Sequence, residues 1–139
     1  MNELKFIPTR YRASSLLPLQ KQAIQTVRDR AGVYVLLTAG GIKFLYPRGR
    51  SAVFYIGQAS GLRKRLIQHL KYTRDARGSR PLDRYWPRYE YAAAFGARFA
   101  IVPCSRGRSP RSLEGLIIRP FAAKFRAQPV ANAQGSWGR

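Results

Sequence analysis

Apolar and polar positions change period several times along this chain, and each change predicts an element. Gly32 to Leu37 reads GVYVLL, an unbroken apolar run rich in β-formers, which predicts a buried strand. Ala39-Gly40-Gly41 is a turn signal, and Ile42 to Tyr46 reads as a returning strand that completes a hairpin. Pro47 to Ser51 (PRGRS) reads as a basic loop, and Ala52 to Gly57 (AVFYIG) as the next strand, ended by glycine. From Ser60 to about Thr73 the period lengthens: Leu62, Leu66 and Leu70 form one stripe of a helix that Ser60 can cap.

Upstream, Leu16, Leu17, Leu19, Ile24 and Val27 are compatible with an amphipathic helix from Ser14 or Ser15 to Arg30, broken early by Pro18. Residues 1–12 are polar and basic and read as an extended arm. Downstream, residues 74–84 read as a charged loop, and Arg84 to Tyr91 interleaves bases with aromatics. Arg98 to Cys104 predicts a strand, followed by a basic loop from Ser105 to Pro110. Ser109-Pro110 then supplies a cap and a first-turn proline for a helix through Leu113, Leu116 and Ile117. Pro120 is expected to end or kink that helix, with Phe121 to Phe125 continuing it. Residues beyond Asn132 read as a Gly/Ser/Arg tail.

No repeat and no linker divides the chain. The element order predicts one α/β domain over residues 13–135, between the 1–12 arm and a 136–139 tail. Its architecture would be a small mixed or antiparallel central sheet of about three to four strands flanked by helices. At 139 residues there is room for one real core and not two.

Charge changes this picture more than size does. The net charge is +20, from 26 Lys and Arg against 6 Asp and Glu. Such self-repulsion destabilises a compact chain, and a polyanionic partner explains why it persists. Nucleic acid is the leading partner class, because neutralised phosphates release counterions. A membrane surface is disfavoured, since no basic amphipathic helix shows a continuous apolar face. No apolar run reaches the ~18 residues of a membrane span, and no signal-peptide core opens the chain, so a cytoplasmic location is expected, with signal-independent secretion as the alternative. Cys104 is the single cysteine, which excludes an internal disulfide and a thiolate cluster.

The chemistry-bearing residues are few and ordered. Tyr34 and Tyr55 each lie in a predicted strand close to a glycine; taken singly, each reads first as a sheet-filling aromatic. Arg65 and His69 stand four apart on one helix face, at the rim of the leucine stripe. A planar guanidinium suits bidentate contact with phosphate. Glu114, alone among the acidic residues, is embedded in an apolar helical stretch, LEGLII. Burying a carboxylate is costly unless it is paired or binds metal. One Glu can support a single hard cation such as Mg2+; a salt bridge to an arginine is the structural alternative. Asn132 alone reads as a turn residue.

With these residues in order, the chain resembles the GIY-YIG nuclease superfamily. Gly32-Val33-Tyr34 stands for the first signature and Tyr55-Ile56-Gly57 for the second, and Arg65, His69, Glu114 and Asn132 follow as the family's later positions. The two tyrosines are 21 apart, longer than is usual there, so Ala39 to Ser51 reads as an enlarged basic hairpin.

The resemblance implies a metal-dependent endonuclease that hydrolyses DNA by a one-metal water attack, leaving 5'-phosphate and 3'-hydroxyl ends. Tyr34, assisted by His69, would activate or orient the water. Arg65 and Tyr55 would hold the phosphate, Glu114 would bind one Mg2+ or Mn2+, and Asn132 would support the geometry. Which tyrosine is the base stays open. Arg48, Arg50, Arg63, Lys64, Lys71, Arg84, Trp86 and Arg88 are candidate nucleic-acid contacts. Tyr85, Tyr89 and Tyr91 could stack on unpaired bases, or close the core edge. RNA is the alternative substrate. A homodimer on DNA is one arrangement, and a toxin domain with an acidic inhibitor protein another. A catalytically silent binding module is the third reading.

Overall fold

The computed structural model describes residues 3–77 and 87–135. Its centre is a four-stranded antiparallel sheet in the order β1-β6-β2-β5. The strands are β1 (Leu17–Pro18), β2 (Gly32–Thr38), β5 (Val53–Ala59) and β6 (Ala97–Pro103). A separate hairpin pairs β3 (Phe44–Tyr46) with β4 (Gly49–Ser51). The helices are α1 (Lys21–Ile24), α2 (Leu62–Arg77), α3 (Pro87–Phe95), α4 (Pro110–Phe125) and α5 (Val130–Gly135). The expected α/β class and strand number therefore hold.

β2 lies between β5 and β6, and all seven of its residues are buried. This explains why its sequence is an unbroken apolar run: both sheet faces are covered. Val33, Val35 and Leu37 join Leu113, Ile117, Phe121 and Phe125 of α4 in one core cluster. Tyr34 and Leu36 join Leu62 and Leu66 of α2, with Phe54 and Phe99, in the other. Alternation along the strand thus sends successive residues to opposite layers.

α4 forms as its caps dictate. Ser109 Oγ accepts the Ser112 N–H at 3.1 Å, and Arg126 closes the helix in the left-handed region at φ 62°. Pro120 does not end the helix. Four buried residues spaced one turn apart (Leu113, Ile117, Phe121 and Phe125) hold the segment in place around it. α2 opens against Asp29, whose Oδ1 accepts the Lys64 N–H at 3.3 Å.

Four sequence expectations are corrected. The 14–30 segment is not one helix: Leu17 and Pro18 pair with Phe99 and Arg98, and only Lys21–Ile24 is helical. The nominal arm folds into turns, with Leu4, Phe6 and Ile7 buried in the core. Glu3 anchors it, pairing with Lys43 at 3.3 Å and accepting the Ala52 N–H at 3.2 Å. The 42–46 segment pairs with 49–51 instead of returning on β2, so part of the expected basic loop is a strand. The expected tail begins as helix, since α5 runs on to Gly135. In the first two cases a distant partner overrode the local pattern; in the third a tight local hairpin did.

Candidate active site

Pairing between β2 and β5 sets Tyr34 opposite Gly57. The Tyr34 ring lies so close over that glycine that an added Cβ would stand 2.5 Å from its Oη and 2.6 Å from its Cζ. The same Cβ would be 2.7 Å from Cε2 of Tyr55. The second glycine phrase therefore has a steric cause, because two phenols crowd one α-carbon. Gly32 has another: a Cβ there would come within 2.7 Å of both Leu62 Cδ1 and the Val102 carbonyl.

Tyr34 Oη lies 2.7 Å from His69 Nε2, in the interior. Sequence spacing put His69 at the rim of the core; the structure buries it completely, in the α2 stripe with Leu62, Leu66 and Thr73. Arg65, one turn earlier, keeps the rim position and is half-buried. Burial, followed by the charges of Arg88 and Arg65, pushes the imidazole down to about 3. Burial, reinforced by Tyr55, holds the Tyr34 phenol well above its usual range, while Arg65 and Arg88 oppose the rise. Near neutral pH the interior contact is thus a neutral imidazole on a neutral phenol. Nδ1 of His69 has no hydrogen-bond partner among the described residues.

This burial predicts a pH dependence of stability. Below pH ~6.5 the unfolded chain protonates its histidine, while the folded chain resists until pH falls to about 3. In that window the unfolded state binds more protons, so stability should rise with pH and fall on acidification. The full loss, reached only below pH about 3, is on the order of 5 kcal/mol. The half-buried Glu114 carboxyl, pushed up by burial, contributes with the opposite sign. Urea midpoints between pH 7.5 and 4 should fall more steeply for wild type than for His69→Gln; parallel curves would refute the assignment.

Tyr55 is half-buried on β5, its ring centroid 5.9 Å from those of both Tyr34 and His69. Arg88, expected as a surface contact, instead enters the site from α3. Its guanidinium carbon stands 5.2 Å from the Tyr55 ring centroid and 4.9 Å from that of Tyr89. Burial raises the Tyr55 phenol, Arg88 opposes that rise, and the charge of Glu114 adds to it. Glu114 therefore lies within electrostatic reach of Tyr55, and α4 brings it there from the opposite layer. Among the described residues the salt bridge is Lys43–Glu3, and Glu114 makes none. Burial pushes the Glu114 carboxyl up, and Arg111 only partly opposes it.

Asn132 is a clamp on the strand that carries Tyr55. Its Oδ1 accepts the Ile56 N–H at 2.8 Å and its Nδ2 donates to the Ile56 carbonyl at 2.7 Å. β5 is an edge strand, so the carboxamide supplies the donor and acceptor that a further strand would. Asn132→Ala should cost about 1–3 kcal/mol, since two buried backbone groups lose their partners. Chemical denaturation checks this; an unchanged midpoint would show the clamp to be idle.

The other expected cations divide. Arg63 Nε donates to the Val27 carbonyl at 2.6 Å, a tether within the fold. Lys64 is exposed beside Arg65 in a recess that also includes Asp29, Ser60, Gly61 and Gln68. Arg48 and Arg50 are exposed on the β3–β4 hairpin, and Lys71 is exposed on α2. Arg84, Tyr85 and Trp86 lie outside the described residues. Tyr89 is buried against His69 and Tyr72, and Tyr91 packs on Phe44 and Phe54, so both close the core edge and are not free to stack on bases. Sequence reasoning missed the role of Arg88 within the site and that of Asp29 at α2. The aromatic–basic alternation of 84–91 was the only signal for the former.

The chain matches no family model, no curated protein and no solved structure.

Proposed function

We propose that this protein is a metal-dependent endonuclease of the GIY-YIG type, hydrolysing phosphodiester bonds in DNA. The observation that carries the reading is the gathering of residues far apart in sequence. Tyr34 and His69 touch at 2.7 Å, Tyr55 packs beside both, and Arg65 and Arg88 act on the same groups. A core aromatic cluster has no need of two cations and a carboxylate at its margin. A metal-dependent phosphodiester-cutting site has a use for all three.

Glu114 fits a single Mg2+ or Mn2+. It is a half-buried carboxylate whose proton affinity is raised by burial and which has no ion pair among the described residues. A hard cation would relieve that desolvated charge, with waters and phosphate oxygens completing its shell. Bound there, the cation would supply electrostatic stabilisation of charge developing on the phosphate.

The chain's own residues divide the remaining work. Arg65 and Arg88 present positive charge to the phosphate, and the more exposed Tyr55 can donate its phenol proton to a phosphate oxygen. Tyr34 is the phenol whose proton has somewhere to go, since the lone pair of His69 Nε2 can accept it. As Tyr34 Oη removes a proton from water, its own proton moves to Nε2. Burial is the largest cause that holds the imidazole's basicity down, and an incoming phosphate offsets the two smaller ones, the charges of Arg88 and Arg65. His69 is thereby a better acceptor with substrate in place than without it, although burial still holds its basicity down.

Incubation of supercoiled plasmid with Mg2+, with chelator, and with Glu114→Ala tests the proposal. Wild type should nick or linearise DNA only with metal, and Glu114→Ala should be inactive at an unchanged melting temperature. Cleavage surviving Glu114→Ala would overturn the single-metal role. Tight binding without cutting, under Mg2+ and Mn2+ alike, would favour a binding module, and cutting of structured RNA alone would change the substrate.

A further inference from the structure

We infer that a second phosphate-binding recess, built by Arg10, Arg12, Arg30 and Arg108, continues the nucleic-acid path beyond the candidate active site. The inference rests on the nuclease reading for its ligand and on independent geometry for its location. The recess measures about 490 Å³, and its described lining includes these four arginines, Tyr11 and Cys104 but no carboxylate. Four guanidiniums drawn together from three chain segments repel one another. All four are exposed, so water tempers that repulsion, and the recess presents a concentrated positive charge that an anion would neutralise.

One guanidinium is held in place, and so is the backbone that carries two others. Arg30 donates from Nη2 to the Cys104 carbonyl at 3.2 Å. Arg10 and Arg12 lie on the N-terminal segment, which is tied down on both sides. Before them, Leu4, Phe6 and Ile7 are buried in the core. After them, Ser14 N–H donates to the Ile101 carbonyl at 2.8 Å and Ser14 Oγ accepts the Ile101 N–H at 2.9 Å. The Tyr11 ring is flanked by Arg10 and Arg108, whose guanidinium carbons stand 4.9 and 5.9 Å from its centroid. The ring thus lies within cation–π range of two guanidiniums, each of which carries the planar donor fork that suits phosphate oxygens.

Position links this recess to Arg65. Ala59 borders the Arg65 recess and Pro103 borders the arginine recess, and both pair with Gly32 in the sheet. Two strand spacings put the recess borders roughly 10 Å apart at one end of the sheet. Arg30 lies between them, since its carbonyl accepts the Leu62 N–H at the start of α2 at 2.9 Å. A backbone whose scissile phosphate meets Arg65 would pass the Asp29–Arg30 turn and seat further phosphates among the four arginines.

The test measures the binding of a short DNA duplex by fluorescence anisotropy across salt concentration, in a Glu114→Ala background. Arg10→Ala/Arg12→Ala/Arg108→Ala should flatten the log–log salt slope by about 2–3, as loss of that many phosphate contacts requires. A control that removes equal charge elsewhere, Lys21→Ala/Arg119→Ala/Lys124→Ala, should flatten it by less than about 1. Melting temperatures identify any variant that fails to fold; single Arg12→Ala and Arg108→Ala, each expected to flatten the slope by about 1, then replace it. Equal slopes for the two triples would overturn the recess even if the parent enzyme cuts DNA. A selective loss in a protein that binds but never cuts would uphold the recess and sink the nuclease reading. No binding by any variant would overturn both.

Discussion

Gly57→Ala should abolish cleavage and lower stability by about 2–3 kcal/mol. The added methyl would lie within 2.7 Å of Tyr34 Oη, Tyr34 Cζ and Tyr55 Cε2. None of these is the free end of a flexible chain. Tyr34 is wedged between β5 and α2 with its oxygen on His69, and Tyr55 shares its strand with the glycine. Relief requires one phenol to leave its place, which breaks the 2.7 Å contact or opens the β2–β5 pairing. Alanine recovers a little through its stiffer unfolded chain, about 0.5–1 kcal/mol, too little to cancel the clash. Denaturant midpoints and plasmid cleavage measure the two effects. A variant of wild-type stability and activity would mean that the Tyr34 ring does not lie over this glycine.

Tyr34→Phe should lower the cleavage rate by about 10²–10⁴-fold and cost about 1–3 kcal/mol of stability. The ring stays, so packing is preserved; only the oxygen on His69 is lost. Both imidazole nitrogens are then without a partner among the described residues, on a fully buried side chain. Leaving one buried polar group unmatched costs more than removing both. Tyr34→Phe/His69→Leu should therefore be more stable than the two single losses added together, by about 1 kcal/mol or more. This thermodynamic cycle needs no activity and separates the architecture of the pair from its chemistry. Strict additivity would show that the contact is not made. Full cleavage by Tyr34→Phe would instead move the proton-accepting role to another group.

Elements whose signals are local are legible in the sequence. α4 carries its own cap and first-turn proline in Ser109-Pro110, and α2 carries its leucine stripe. β2 announces its central place by being apolar on both faces. Elements that depend on a distant partner are not legible in this way. Leu17–Pro18 is a strand only because Phe99 and Arg98 lie beside it; the 44–46 segment, by contrast, pairs with its near neighbour 49–51 across Pro47-Arg48 and not with β2. Two- and three-residue strands carry too little periodicity to be read, and their pairing energy comes entirely from the neighbour.

The candidate site divides along the same line. Composition by itself gave the net charge of +20 that motivates a polyanionic partner as a proposal, and residue order alone marked Tyr34, Tyr55, Arg65, His69, Glu114 and Asn132 as the set to watch. Sequence also determined that one carboxylate in an apolar helix, Glu114, would be desolvated, because its helical neighbours are local. Tertiary structure alone decided that His69 is interior and that Arg88 lies over Tyr55. It alone turned Asn132 from a turn residue into a clamp on Ile56, across a separation of 76 residues. It likewise gathered Arg10, Arg12, Arg30 and Arg108 into one recess. The physical reason is range: caps, stripes and turns are settled within a few residues, whereas depth, electrostatic coupling and edge-sealing depend on which distant segment folds against them.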